Sequence, residues 1–178
     1  RLLLLFLAGA NCRPLLSGAA MLHFLPRPIT GTLSLLLYIL NTLFWFVPVL
    51  LLALLKLPPI TRWQSWMTYL LDACAVAWIS VNNFTSRLFT RIRWHISGLE
   101  KLSRKDWYLV LANHQSWADI LVLQKVFNRK IPFIKFFLKK ELIYVPLLGL
   151  CWWALDFPFM KRYSKAFLQR NPQLQGKD

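Results

Sequence analysis

The sequence predicts an α/β protein that begins with a hydrophobic membrane helix or helical hairpin. Three observations carry this prediction. Residues 29–55 contain no charged side chain. From residue 91 onward the pattern alternates between short apolar strands and amphipathic helices. The second half of the chain also holds most of the positive charge. Together they indicate a membrane segment followed by an αβ domain with a mainly parallel sheet.

The membrane segment is assigned to residues 29–60. Its centre, Leu33 to Leu55, is an unbroken run of 23 uncharged residues, and about 20 apolar residues suffice to cross a hydrocarbon core as a helix. Pro48 removes one backbone donor within the run, so two geometries remain, a single kinked span and a re-entrant helical hairpin. Residues 1–28 are an amino-terminal extension of uncertain status, to which we assign no function.

The charge distribution selects the class of partner. Residues 1–85 hold five basic and one acidic residue, whereas residues 86–178 hold seventeen and six. A basic chain fits nucleic acid or an anionic membrane surface, and the apolar segment favours the phospholipid membrane. No zinc-finger or RNA-binding signature is present, so we expect no nucleic acid. Cys12, Cys74 and Cys151 form no metal or redox motif, and nothing requires a metal or other cofactor.

The remaining residues, 61–178, are predicted to form one αβ domain. A long helix is expected from Arg62 to Arg91, with Thr61 as its N-cap. Its apolar face would comprise Trp66, Tyr69, Leu70, Ala73, Ala77 and Val81. The alternation in residues 91–98 predicts a half-buried strand that closes at Gly98. The continuous apolar run in residues 107–113 predicts a strand at the centre of a sheet.

Four further elements follow along the domain. Residues 116–128 predict a helix with Ser116 as N-cap, and residues 130–137 predict a second central strand. Residues 139–149 predict a short helix that Pro146 breaks and Gly149 ends. Residues 153–162 predict a strand that carries Lys161 and Arg162 at its carboxyl end.

The stretch NHQSWAD places a candidate base and a carboxylate after the strand of residues 107–113. His114 leaves the carboxyl end of that strand, where open α/β sheets bind their ligands. Asp119 follows about one helical turn after Ser116, so its carboxylate could orient the imidazole and stabilise its cation. A neutral histidine held in this way takes a proton from an attacking hydroxyl. The alternative is a capping or buried His114 and an Asp119 that merely favours a helix amino terminus.

The surrounding residues resemble a known family. NHQSWADI, with its H-x-x-x-x-D spacing, resembles the first signature block of the glycerolipid acyltransferases, the family of the 1-acylglycerol-3-phosphate acyltransferases. FIKFFLKKELIYVPLLGLCWWALDFPFMKR is similar to the second block. The resemblance covers residues 60–178 and looks closest to the bacterial inner-membrane branch often called YihG-like.

The resemblance implies a function and a set of site residues. His114 would be the general base and Asp119 its orienting partner. A fatty acyl group would pass directly from acyl-CoA or acyl carrier protein to the hydroxyl of a lysophospholipid such as lysophosphatidate, in phospholipid synthesis or remodelling. Candidate substrate-binding residues are Asn113, Lys139, Lys140 and Arg162. The implied location is a bacterial inner membrane, with the catalytic domain on the cytoplasmic side.

One part of the family pattern is missing. The third block has a Pro-Glu-Gly core, but the chain has only two glutamates, Glu100 and Glu141, and glycine follows neither. The apolar fourth block is missing too. We therefore expect the acyltransferase domain to be truncated at its carboxyl end. Two alternatives stay open, an inactive or partial membrane-anchored fragment, and the same chemistry on another acceptor such as lysocardiolipin or lysophosphatidylglycerol.

Overall fold

The computed structural model describes residues 2–7, 26–90, 96–113 and 116–161, without the side chains of residues 2–7 and Trp117. Its elements, in chain order, are β1 Leu2–Leu7, α1 Arg27–Leu55, α2 Thr61–Phe89, β2 Trp107–Ala112, α3 Trp117–Phe127, β3 Leu138–Lys139, a 3-10 helix Lys140–Tyr144, α4 Leu148–Ala154 and β4 Phe159–Met160. Two small parallel sheets pair β1 with β2 and β3 with β4. The predicted mixture of helices and parallel strands is therefore confirmed at this coarse level.

The chain divides into two compact units. The first comprises Arg1–Trp45 and Ala73–Ile134, and the second comprises Phe46–Asp72 and Lys135–Asp178. Helices α1 and α2 each contribute residues to both units. The predicted boundaries at residues 28 and 60 are a different division of the chain and stay predictions.

The predicted membrane segment forms helix α1, which continues through Pro48 to Leu55. This continuity excludes a re-entrant hairpin within residues 33–55. Large apolar side chains remain exposed along its length: Ile29, Leu35, Leu36, Ile39, Leu40, Leu43, Phe44, Val47, Leu51, Leu54 and Leu55. Within the part of the chain that the structure describes, α1 is the one helix long and apolar enough to cross a membrane, judged by length and composition alone.

In the first unit, a buried polar network joins α1 to α2. The Asn41 side-chain amide donates to the Asn82 side-chain oxygen at 2.8 Å and to the Trp78 carbonyl at 3.0 Å. The Trp78 indole donates to the Thr42 hydroxyl at 3.2 Å. A buried amide left without partners would cost about 1–3 kcal/mol. These bonds therefore favour the one register of the two helices in which the amides meet.

Helix α2 begins and ends close to the predicted residues, but it buries a different face. The backbone N–H of Gln64 donates to the Ile60 carbonyl at 2.8 Å, so the first helical bond starts one residue before the predicted cap. Its buried stripe is Met67, Leu71, Ala75 and Ile79, a spacing of four residues that follows one helix face. The predicted face instead leaves Trp66, Tyr69 and Val81 exposed.

Strand β2 confirms the predicted strand but not its central position. Its residue Ala112 pairs with Leu7 of β1, and the alternate side chains Trp107, Leu109 and Leu111 are exposed. A strand at the centre of a covered sheet would bury both faces. Of the strand predicted at residues 91–98, residues 91–95 lie outside the described part, and Ile96 to Gly98 are not in a strand. Gly98 has φ +83°, a turn conformation that suits glycine.

Of two further predicted strands, one is absent and the other is shorter than expected. Residues 131–137 form no strand, so the prediction for residues 130–137 is wrong. Pro132 lacks the N–H that a central strand would donate. The strand predicted from residue 153 begins only at Phe159, because α4 continues to Ala154 and Asp156 turns the chain with φ +56°.

The prediction that Gly149 ends a helix is also wrong. A 3-10 helix ends at Tyr144 before Pro146, and Gly149 lies in the first turn of α4. A Cβ at Gly149 would collide with the carbonyl group of Ile143. Glycine is therefore needed here because the backbone of the 3-10 helix passes against it, not because the helix stops.

Candidate functional site

The described residues on either side of the β2–α3 turn form the predicted strand end and helix cap. Asn113 follows β2 and is exposed, and α3 begins at Trp117 with Ser116 as its N-cap. The Ser116 hydroxyl accepts from the Ala118 N–H at 3.2 Å. His114 and Gln115 lie outside the described residues, so the position of the candidate base stays a prediction. The elements on both sides of it, strand and helix, are confirmed.

The Asp119 side chain bonds back to the N-cap of its own helix. Its Oδ2 accepts from the Ser116 N–H at 2.7 Å, which completes a capping box with the Ser116 side chain. The capping role that the sequence left open for Asp119 is thus present. It does not exclude an orienting role, because a carboxylate has two oxygens and can accept several hydrogen bonds. The cap fixes the carboxylate at Ser116, two residues after His114 in the sequence.

The second candidate region is a parallel ribbon, residues 135–140 alongside residues 156–161. Leu138 pairs with Phe159 and Lys139 with Met160. The same register holds before the strands begin. The Phe136 and Phe157 rings stack with centroids 6.4 Å apart, and the Lys135 ammonium lies 3.9 Å from the Asp156 carboxylate. The ribbon therefore extends several residues beyond the two-residue strands β3 and β4.

Three lysines lie at the carboxyl end of the ribbon. Lys140 and Lys161 directly follow the last paired residues, Lys139 and Met160. Lys139, Lys140 and Lys161, which we call the lysine edge, are all exposed. No residue described in the structure forms an ion pair with any of them. Lys161 was not among the predicted site residues, although the strand predicted for residues 153–162 already placed it at a carboxyl end. Arg162 lies outside the described residues.

The amino end of the ribbon carries an ion cluster of four residues, Lys56, Asp72, Lys135 and Asp156. The Lys56 ammonium lies 2.5 Å from the Asp156 carboxylate, and the Lys135 ammonium lies 3.7 Å from Asp72 Oδ1. The second distance is too long for a hydrogen bond, and Asp72 Oδ1 is buried without one. Burial raises the pKa of Asp72, and the charge of Lys135 offsets this only in part.

The thiols of both described cysteines are poor nucleophiles. Burial raises the pKa of Cys151 to about 11 and also raises the pKa of Cys74, so both are protonated at neutral pH.

Among residues 26–90, 96–113 and 116–161, no group of three or more His, Cys, Asp or Glu side chains is arranged to hold a metal ion.

The structure places the predicted site residues in two groups. Asn113 and Asp119 belong to the first unit, at the β2–α3 turn, whereas Lys139 and Lys140 belong to the second unit, at the lysine edge. The polar groups of each set lie at the carboxyl end of a pair of parallel strands, where ligand sites of α/β proteins form. Trp153 of α4 is 52% exposed.

Comparison with known proteins supports the resemblance at the level of the family. Residues 93–177 match the family model described as Acyltransferase. The match includes the β2–α3 turn and the whole ribbon. No curated protein and no solved structure matched the chain. The family match therefore supports a general acyltransferase function for this region and leaves the branch within the family open.

Proposed function

We propose that this protein is a membrane-bound acyltransferase that moves a fatty acyl group from acyl-CoA or acyl carrier protein to the hydroxyl of a lysophospholipid. The observation that carries the proposal is the β2–α3 turn within the matched region. There a capping box holds the Asp119 carboxylate on the Ser116 N–H, and Ser116 follows His114 by two residues in the sequence. The YihG-like branch remains the relationship that we favour within the family.

The mechanism assigns His114 as general base and Asp119 as its orienting partner. A neutral His114 removes the proton from the acceptor hydroxyl as the oxygen attacks the thioester carbonyl. The carbon–sulfur bond then breaks, and the departing thiolate receives that proton from the imidazolium. An anion beside the imidazole favours its cation and fixes its tautomer. Transfer is direct. The pKa of Cys151 is raised by burial, so its thiol is not expected to form an acyl intermediate.

The lysine edge is the candidate site for the substrate phosphate. Lys139 and Lys140 were expected in this role, with Arg162 and Asn113 as further substrate-binding residues. The register of β3 and β4 adds Lys161. Ammonium groups bind phosphate oxygens by charge-assisted hydrogen bonds, which favours an acceptor such as lysophosphatidate. A panel of lysophosphatidate, lysocardiolipin and lysophosphatidylglycerol, read by mass spectrometry, would identify the preferred acceptor.

The membrane is the proposed location. Helix α1 exposes its apolar side chains and contains no charged residue between Arg27 and Lys56. Such a helix contacts acyl chains more favourably than water. The resemblance points to a bacterial inner membrane, with the acyltransferase region on the cytoplasmic side.

The direct test compares His114→Ala with the wild-type chain. Purified protein in detergent would be assayed with acyl-CoA and lysophosphatidate. Loss of a general base lowers the rate by about 10²–10⁴-fold. His23→Ala is the matched control, because it removes a histidine outside the matched region and should retain the wild-type rate. Undiminished transfer by the His114 variant would refute the assigned base.

A further inference from the structure

The ion cluster borders a cavity that the proposed acyl transfer does not use. The cavity lies within the second unit and has a volume of about 220 Å³. Its polar lining is Lys56, Gln64 and Asp156, and its apolar lining is Ala53, Leu57, Trp153 and Ala154. The lysine edge is not part of this lining. The cavity is therefore a separate candidate for ligand binding.

The charges around the cavity select a class of ligand. Lys56 and Asp156 both line it and are paired with each other, and Lys135 and Asp72 complete a cluster of two positive and two negative groups. A simple anion would meet Lys56 but also the Asp156 carboxylate, which repels it. A headgroup with both a phosphate and a primary ammonium would engage both partners, because each of its charges meets an opposite one.

The position of the cavity indicates that such a headgroup belongs to a lipid. Lys56 directly follows α1, and the cavity-lining residues Ala53 and Leu57 lie at the same end of this helix. The neighbouring Leu51, Leu54 and Leu55 are exposed apolar side chains along which acyl chains could lie. The volume of 220 Å³ is below the about 300–1,000 Å³ of typical small-molecule pockets, so it suits a headgroup and not a whole lipid.

We propose that this cavity binds the headgroup of a zwitterionic aminophospholipid of the phosphoethanolamine type. Lys56 contacts the phosphate, Asp156 contacts the ammonium, and the chains lie against the exposed face at the end of α1. The bound lipid fixes the depth of the second unit at the membrane surface. The proposal shares with the proposed function only the membrane contact of α1 and does not require acyl transfer.

The test is a lipid-binding measurement on the full chain in detergent. Native mass spectrometry would count bound phosphatidylethanolamine, phosphatidylglycerol and phosphatidylcholine with identical acyl chains. We expect about three- to fivefold higher retention of phosphatidylethanolamine than of phosphatidylglycerol, the effect of one partly exposed charge pair. A similar excess is expected over phosphatidylcholine, because its quaternary ammonium carries the charge but has no N–H to donate to the Asp156 carboxylate. Equal retention of the three lipids would overturn the proposal. Glycerophosphoethanolamine, which lacks acyl chains, should compete poorly; full displacement at equal concentration would overturn the lipid assignment.

Two variants separate charge recognition from a general loss of structure. Asp156→Asn leaves the cavity with an excess of positive charge, so the preference should shift from phosphatidylethanolamine to phosphatidylglycerol. Lys56→Gln should lower retention of both lipids by about three- to fivefold. Glu100→Gln removes an exposed carboxylate of the first unit and should bind lipid as the wild type does. An unchanged lipid preference in Asp156→Asn would refute the site, whatever the acyl-transfer assay gives.

Discussion

The carboxyl ends of the two parallel strand pairs carry opposite kinds of polar groups. β2 is followed by Asn113 and the capping box of Ser116 and Asp119, in which the Ser116 N–H binds the Asp119 carboxylate. At the carboxyl end of β3 and β4 lie the three exposed lysines of the lysine edge. Both regions occupy the same kind of position, but one presents an anion and the other presents cations.

We therefore expect the two regions to contribute to different steps of the reaction. An anion held by a backbone N–H is suited to orient a base. A base takes part in the chemical step, so variants of this region should lower kcat. A group of exposed cations suits the binding of a phosphate, which should act on KM when substrate and transition state are bound equally. The comparison therefore predicts that variants of the two regions separate in their kinetic effects.

The largest effect on stability should come from the backbone that supports the lysine edge. Gly149→Ala forces a Cβ against the Ile143 carbonyl, and such overpacking costs about 1–3 kcal/mol. The 3-10 helix that begins at Lys140 must shift, so thermal unfolding should occur at lower temperature. Gly31→Ala is the control. It has open space around it and replaces a helical glycine, so it should be neutral or slightly stabilising. Equal melting of the two variants would contradict the predicted contact.

The next effect should appear in substrate binding. Lys140→Gln combined with Lys161→Gln should raise KM for lysophosphatidate about tenfold, or about 1.4 kcal/mol, with little change in kcat. The paired control is Lys101→Gln with Lys105→Gln, two exposed lysines of the first unit, which changes the net charge equally. A lysine-edge variant that lowers kcat and leaves KM unchanged would contradict the assignment of these lysines to substrate binding. With monoacylglycerol as the acceptor, which lacks the phosphate, the lysine-edge variant and the control variant should have the same KM.

A smaller, pH-dependent effect should arise at Asp72 in the ion cluster. Because burial raises the pKa of Asp72 above 3.8, the native state binds more protons than the unfolded state just above that pH. This group therefore lowers stability as pH rises through its native pKa. Asp72→Asn lacks this slope, so its stability relative to the wild type should increase from pH 4 toward pH 7. Thermal unfolding across this range measures it, with Glu100→Gln as the exposed control. If the stability of Asp72→Asn relative to the wild type decreased with rising pH, burial would not be the dominant cause of the pKa shift of Asp72.

Local signals predicted the elements around the β2–α3 turn correctly. The apolar run of β2, the cap at Ser116 and the first-turn carboxylate of Asp119 are all encoded within the 13 residues from Trp107 to Asp119. The uncharged run of α1 is similarly local and forms one helix. Helix caps and long apolar runs depend on neighbouring residues, so a sequence pattern identifies them.

The errors occurred where distant parts of the chain decide the structure. Whether residues 130–137 form a strand depends on a partner for their backbone, and apolar character alone does not supply one. Gly149 looked like a helix end, but its role comes from the approach of the Ile143 backbone. Lys161 joined the lysine edge only through the register between β3 and β4. The ion cluster likewise unites residues from four separate parts of the sequence.

The most direct test of the central claim separates the two roles of Asp119. Asp119→Asn keeps an oxygen that can accept from the Ser116 N–H but removes the anion, whereas Ser116→Ala removes one side of the cap and keeps the anion. The measurement is the rate of acyl transfer from acyl-CoA to lysophosphatidate at saturating substrate. We predict a loss of about 10²-fold or more for Asp119→Asn. Ser116→Ala should retain a near wild-type rate and lose about 1 kcal/mol of stability. Full activity in Asp119→Asn would contradict the account.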